Sequence, residues 1–289
     1  MGVLPVNLLI FGLGYSAGFY AAEAAQVFQQ VTATKRAPKA TAEGRCRLLP
    51  FDGDADAIDP RLIEALDAAD ALLVSAAPTA EGDPVLRRLA EKIAATRRLR
   101  KIVYLSTIGV YGDHQGAWID ETSELRPSND RTRWRVTAEN DWLALGARTG
   151  KQVYVLRLSG IYGPDRSVIE KLRDGTAKRL IKPGQVFNRI HVADIAQTIN
   201  ACFTGSAPGG VYNVTDDEPA PPQDVVTYAA ELLGIEPPPE QEFVAAQLSP
   251  MARSFYGDNK RVRNAKIVAD LGVKLRFPTY RQGIEALLP

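Results

Sequence analysis

The run Asn7 to Phe11 is apolar and stops at Gly12 and Gly14. Alanine-rich, helix-forming residues follow to about Gln29, and a second short run closes at Thr34, Lys35 and Arg36. Strand, glycine turn, helix, strand is the pattern that most restricts what this chain can fold into. Gly12 permits a tight turn out of the strand, Gly14 lets the backbone approach a pyrophosphate, and Ala17, at the third position, is small enough for helix and strand to pack closely. The free N–H groups and positive dipole end of the helix then face the phosphates, which places Tyr15 and Ser16 in the same site. The stretch reads as the opening βαβ unit of a dinucleotide-binding domain; the bland alternative is a glycine-rich turn without a ligand. A signal peptide is also apolar and alanine-rich, but this segment has no basic n-region and carries glycines where an apolar h-region belongs.

The end of the second strand bears on which dinucleotide is bound. An NAD site places Asp or Glu there for the ribose 2′-hydroxyl, whereas an NADP site places a cation near the 2′-phosphate. Here Thr34, Lys35 and Arg36 stand with no carboxylate before Glu43, which favours NADP(H) over NAD(H) unless the two cations are simply a solvated pair. Ligands in such folds lie beyond the carboxyl ends of parallel strands. Asp52 and the small residues Ser75, Ala76 and Ala77 occupy two such ends, where each could equally form an ordinary turn.

With 289 residues, the chain accommodates one large α/β domain or a dinucleotide domain with a smaller lobe. A net charge of +1 gives no reason to expect nucleic acid or an anionic membrane as partner. No apolar run approaches the roughly 20 residues of a membrane span. Two cysteines form neither a disulfide framework nor a metal-ligand spacing, which suits a reducing, cytoplasmic setting without a metal. Val6 stands where an N-myristoylation signal beginning at Met1-Gly2 needs Ser or Thr. Strands and helices alternate through the first half: Arg47–Phe51, a helix over Pro60–Ala69, Ala71–Ser75, a helix over Pro84–Arg98, Lys101–Leu105, a helix over Trp134–Ala147 and Gln152–Leu158. Alternation of this kind predicts a doubly wound parallel sheet.

The string LSTIGVYG, Leu105 to Gly112, resembles the active-site strand of the extended short-chain dehydrogenase/reductases, the NAD(P)-dependent epimerase/dehydratase group. LRLSGIYGPDRS from Leu156, NRIHVADIA from Asn188, GGVYNVTDDEP from Gly209 and the terminal Lys260 to Leu288 agree with it in order and spacing. The resemblance covers almost the whole chain. It implies a Rossmann-type α/β sheet of about seven strands, with a smaller, mainly C-terminal α/β lobe for substrate. On this chain the Rossmann domain would span 1–161 plus about 188–215, and the lobe about 162–187 and 216–289. The resemblance also implies a homodimer, a small-molecule substrate, and a cleft bordered by Tyr111 and Tyr162.

Members of the group pair a Ser or Thr with a Tyr-x-x-x-Lys on the next helix, where the lysine lowers the tyrosine pKa and the phenolate exchanges a proton with the substrate oxygen. Thr107, four residues before Tyr111, matches the Ser/Thr, with Ser106 beside it. The Tyr-Lys pair has no counterpart: no tyrosine lies between Tyr111 and Tyr154, and no lysine between Lys101 and Lys151. Arg131, Arg133 and Arg135 stand there instead, and arginine does not act as a base near neutral pH. The three alternate, so they do not share one helix face, and one or two at most reach a site. Tyr111 is the remaining phenol near Thr107, better suited to anchor its loop than to act as a base. His114 reads as a solvent-exposed loop residue, and His191 and Asp194 as helix-start residues, with a substrate contact the rival role for His191. The sequence therefore supports an atypical oxidoreductase or isomerase acting on a small carbonyl or sugar-nucleotide-like compound. Its rival is a catalytically silent NADP(H)-binding sensor or interaction protein.

Overall fold

The computed structural model describes residues 6–24, 26–248 and 250–288; Met1 and Gly2, read above for acylation, lie outside them. In chain order the elements are β1 (Asn7–Phe11), α1 (Tyr15–Ala24), β2 (Gln30–Lys35), β3 (Ala42–Glu43), β4 (Cys46–Pro50), α2 (Pro60–Ala68), β5 (Ala71–Val74), α3 (Pro84–Ala95) and β6 (Lys101–Thr107). A 3₁₀ turn over Ile108–Tyr111 leads to β7 (Trp118–Ile119), α4 (Asp130–Thr149), β8 (Gln152–Leu158), β9 (Gly160–Tyr162), α5 (Val168–Arg173), β10 (Arg179–Ile181), β11 (Arg189–His191), α6 (Val192–Thr204) and β12 (Gly210–Val214). The chain continues through α7 (Pro222–Leu232), β13 (Glu240–Glu242), α8 (Pro250–Phe255), β14 (Arg261–Val262), α9 (Ala265–Ala269) and α10 (Tyr280–Glu285).

The central sheet runs β12-β8-β6-β5-β1-β2-β4-β3. From β12 to β4 every pairing is parallel. The eighth strand, which the sequence pattern did not reveal, is an antiparallel edge of two residues that folds back on β4 through Gly44, at φ +57°. Strand order reverses direction at β1, which has β2 on one side and β5 on the other, and the crevice of a doubly wound sheet opens there. Alternation along β1 shows why both faces are covered. Leu8 and Ile10 enter one buried cluster with Ala17, Tyr20 and Ile199. Leu9 and Phe11 enter the other with Leu62, Leu89 and Trp142. Apolar residues on both faces of a parallel strand require helices on both sides.

Local chemistry sets the helix ends. Asp59 and Asp83 each cap a helix whose first residue is proline, so the missing N–H leaves no donor unsatisfied. α4 starts at Asp130, four residues before the expected Trp134, because Asn129 and Thr132 form a reciprocal capping box. α1 stops well short of Gln29. Phe28 turns into the core, 5.8 Å from Phe203, and the Gln29 N–H donates to the Val6 carbonyl. A separate cluster joins α5, α7 and α10 through Ile169, Val225, Ala229, Tyr280 and Ile284. Ile267 and Val273, from the C-terminal segment, pack into the core of the large sheet.

Candidate functional site

The glycine turn is held by β2. The Gly12 N–H donates to Thr34 Oγ1 at 3.1 Å and the Leu13 N–H to the Thr34 carbonyl at 2.9 Å. Thr34 is thus a buried prop for the turn. Gly12 sits at φ +87°, and a Cβ there would lie 3.0 Å from the Ala76 nitrogen. Gly14 differs: a Cβ on it would meet nothing within 4 Å. The fold therefore requires Gly12 itself, whereas the open space at Gly14 suits a pyrophosphate lying against the backbone. Lys35 is ion-paired to Glu43 on β3, and Arg36 is exposed beside it. Asp52 is exposed and accepts the Asp54 N–H at 3.2 Å.

Beyond the carboxyl ends of β1, β5, β6 and β8 lies a cleft of about 220 Å³, lined by Ser16, Ser75, Leu105, Ser106, Thr107, Arg135, Leu158, Ser159 and Ile161. Its polar walls are five hydroxyl groups and one guanidinium. Thr107 Oγ1 accepts the Gly109 N–H at 3.1 Å, which leaves its proton free to donate outward. Ser159 Oγ is buried and has no partner among the described residues. Arg135 donates from Nη1 to the Leu105 carbonyl at 2.6 Å. Tyr15, next to Ser16, donates to the Pro164 carbonyl at 2.8 Å, with the Arg166 guanidinium 5.3 Å from its ring. A second cavity, about 200 Å³, opens at the amino-terminal edge of β1 and β2, away from the end where parallel sheets bind ligands.

Behind the Ser106 wall lies a buried polar network. Ser106 donates to Glu139, which Arg157 holds from Nη2 at 2.7 Å and from Nε at 3.1 Å. Arg157 Nη1 donates to the Tyr111 hydroxyl at 2.8 Å, and that hydroxyl donates to Asn213 Oδ1 at 2.8 Å. Burial disfavours the Arg157 cation, but Glu139 and Tyr111 together outweigh it and the guanidinium pKa is raised. Burial also raises the Tyr111 phenol pKa, against the pull of Arg157. Tyr111 is 0 % exposed. It is not the phenol of this cleft, because the 3₁₀ turn capped by Thr107 tucks its ring inward.

Tyr162 and His191 do not line the cleft either. They face each other across β9 and β11 with ring centroids 5.2 Å apart, and the His191 ring packs on Phe277 at 4.1 Å. His191 Nδ1 accepts the Ala193 N–H and caps α6. Burial, helped by Arg276, lowers its pKa to about 4, so the ring is neutral. His191 is thus held as a helix cap, and the side-chain alternation of β9 points Ile161 at the cleft and Tyr162 into the lobe. Asp194 accepts the Arg276 and Phe277 N–H groups at 2.6 and 3.1 Å, tying the C-terminal segment to the start of α6. His114 is half-buried with Nε2 3.2 Å from the Glu124 carbonyl oxygen.

Residues 85–215 match the model of the NAD dependent epimerase/dehydratase family. A conserved protein of unknown function from Silicibacter pomeroyi DSS is 48% identical, with 98% of each chain covered and a TM-score of 0.88. Over residues 85–215 the chain carries a domain of the NAD dependent epimerase/dehydratase family. Protein YeeZ of Escherichia coli (strain K12) is 28% identical over 223 residues, covering 75% of this chain and 74% of that protein. The dTDP-glucose 4,6-dehydratase of Bacillus anthracis str. Ames, solved in complex with NAD, shares the fold at 17% identity, with 97% and 94% of the two chains covered and a TM-score of 0.77.

Within this frame the structure brings together Ser16, Ser75, Ser106, Thr107 and Arg135, all singled out in the sequence, and adds Ser159, with Glu139 behind Ser106. Ser159 follows the last residue of β8, so the strand-end rule that selected Ser75 also reaches it. Arg133 is ion-paired to Asp130 on the surface and Arg131 is exposed, so of the three arginines only Arg135 reaches the cleft. Glu139 had no signal in sequence beyond its position one helical turn after Arg135. Among the described residues no group of three or more His, Cys, Asp or Glu side chains could hold a metal ion, and no helix is long and apolar enough to cross a membrane. Cys46 and Cys202 are free and buried.

Proposed function

We propose that this chain binds NADP(H) in preference to NAD(H) and serves as an oxidoreductase or isomerase for a small carbonyl or sugar-nucleotide-like substrate. The Rossmann portion, 1–161 with 188–215, presents the dinucleotide, and the lobe formed by 162–187 and 216–289 covers the substrate. The observation that carries this reading is the alignment of an open Gly14 with a hydroxyl-lined cleft at the carboxyl ends of four adjacent strands. A bound nicotinamide supplies or removes hydride. Gly12, Gly14 and Ser16 would hold the pyrophosphate, Ala76 and Ala77 would admit close approach, and Asp52 would border the adenosine end. Arg36 would meet the 2′-phosphate, with Lys35 contributing as far as Glu43 releases it. Thr107 donates its hydroxyl to the substrate oxygen. Among the described residues no carboxylate, imidazole or phenol lines the cleft, so the substrate proton is exchanged with water. That same feature favours a second reading, a silent NADP(H) sensor.

Fluorescence titration with NADPH and NADH tests binding. NADPH binds more tightly, Arg36→Ala erases the difference, and Gly14→Val abolishes both while the protein remains folded. Equal affinities in the unsubstituted protein would remove the cofactor preference. A panel of carbonyl compounds incubated with the NADPH complex then separates the two readings: oxidation that Thr107→Ala depresses without weakening cofactor binding marks the enzyme, and binding without turnover across the panel marks the sensor.

A further inference from the structure

We propose that Arg135, with Thr107 and Ser159, forms an oxyanion subsite in the cleft that takes a carboxylate of the substrate. The proposal deepens the reading of the cleft as the nicotinamide end of a dinucleotide site and rests on it. Arg135 is the one charged side chain among the residues lining the cleft. Its Nη1 is pinned by the Leu105 carbonyl at 2.6 Å and lies 3.4 Å from the Tyr104 hydroxyl. No carboxylate pairs with it among the described residues. Its neighbours on the same helix and the adjoining strand are neutralised locally, Arg133 by Asp130 and Arg157 by Glu139. The acid whose charge Arg135 influences, Asp83, already accepts from the Val85 and Leu86 N–H groups and from Trp142 Nε1.

Two neutral donors accompany the cation. Ser159 is only 6 % exposed and its Oγ has no partner, although it lines the cleft. A buried hydroxyl without a partner carries a desolvation cost that a ligand acceptor relieves. Thr107 accepts the Gly109 N–H and keeps its proton for an outward acceptor. A fixed guanidinium with two hydroxyl donors and no acid is complementary to a carboxylate, which accepts two parallel N–H bonds. The pyrophosphate of the dinucleotide is an unsuitable occupant. The glycine turn belongs to β1, while Arg135 sits over β6, two strands away in the sheet and therefore roughly 10 Å from it. The ligand class is then a small carbonyl compound bearing a carboxylate, such as a 2-oxo acid or a sugar acid.

Oxalate and its neutral diamide, oxamide, are the probes, titrated calorimetrically into protein saturated with NADP⁺. Oxalate binds at least about tenfold more tightly than oxamide, the discrimination expected of a charged hydrogen bond. Arg135→Gln removes that difference and Arg135→Lys keeps part of it, while the affinity for NADP⁺ stays within about threefold throughout. Ser159→Ala weakens oxalate severalfold in a side chain whose removal leaves no buried donor behind, so it reads the subsite even if Arg135→Gln does not fold. Oxalate binding no tighter than oxamide, or oxalate displacing NADP⁺ in competition, overturns the proposal. If the unsubstituted protein takes no dinucleotide, the parent reading fails instead, and the same two titrations on the free protein decide the subsite.

Discussion

Replacing Arg157 by Met isolates what the network behind the cleft contributes. Arg157 gives Glu139 two close hydrogen bonds, at 2.7 and 3.1 Å, and one to Tyr111 at 2.8 Å; the Arg157 and Glu139 side chains are only 6 % and 2 % exposed. Met fills a similar volume but leaves the Glu139 carboxylate with Ser106 alone as a hydrogen-bond donor. Breaking a buried pair by removing one partner costs roughly 3–5 kcal/mol, because an uncompensated charge stays inside. Against a typical total of about 5–15 kcal/mol, that is a large fraction of the stability. Adding Glu139→Gln to Arg157→Met removes the stranded charge and recovers most of the loss. Urea denaturation followed by tryptophan fluorescence measures all three proteins. A loss below about 1 kcal/mol for Arg157→Met, or a double variant less stable than the single one, would refute the argument that Glu139 is a buried charge held by Arg157.

His191, neutral down to about pH 4 in the folded protein, binds its proton near pH 6.5 once unfolded. Stability should therefore fall as pH drops through that window, by up to about 3 kcal/mol at its lower end. His191→Asn, which can still cap α6, should show a shallower slope in urea midpoints between pH 4.5 and 6.5. Gly12→Ala should destabilise by about 1 kcal/mol or more through its positive φ alone, whereas Gly14→Ala should leave the denaturation curve unchanged and weaken dinucleotide binding; parallel denaturation and binding titrations compare them. Glu43→Gln should free Lys35 and shift the NADPH-to-NADH affinity ratio upward by a factor of up to about five, the reach of an exposed ion pair. A downward shift would mean that Lys35 does not face the 2′-phosphate.

Much of the parallel sheet was legible because its signal is local: apolar runs of four to seven residues ending in Gly, Asp or Ser need no partner to be recognised. Strand-end residues such as Ser75 and Thr107 could be placed in the cleft by the same reasoning. Side-chain direction was not legible. Tyr111 and Thr107 lie four residues apart, yet the 3₁₀ turn sends one ring into the core and leaves the other residue in the cleft. His191 and Tyr162 look like site residues until the pairing of β9 with β11 sets both against each other. Glu139 and Arg157 are separated by a helix end and a strand, and only tertiary packing joins them. Glu43 shows the same limit, since the turn at Gly44 brings a carboxylate from an edge strand onto the cation that seemed free.

The contrast between Gly12 and Gly14 gives sequence variation a meaning it would otherwise lack. Gly12 is demanded by the backbone of this protein, crowded by Ala76 and held at a positive φ, whereas Gly14 is demanded by nothing within 4 Å. Selection for folding therefore acts on the first, and if the proposed dinucleotide site is real, selection for the ligand acts on the second. In a descendant that had stopped binding dinucleotide, position 14 would drift toward ordinary side chains while position 12 stayed glycine. The pair works as a two-channel recorder: one position reports whether the fold is still under selection, the other whether the pocket is still in use.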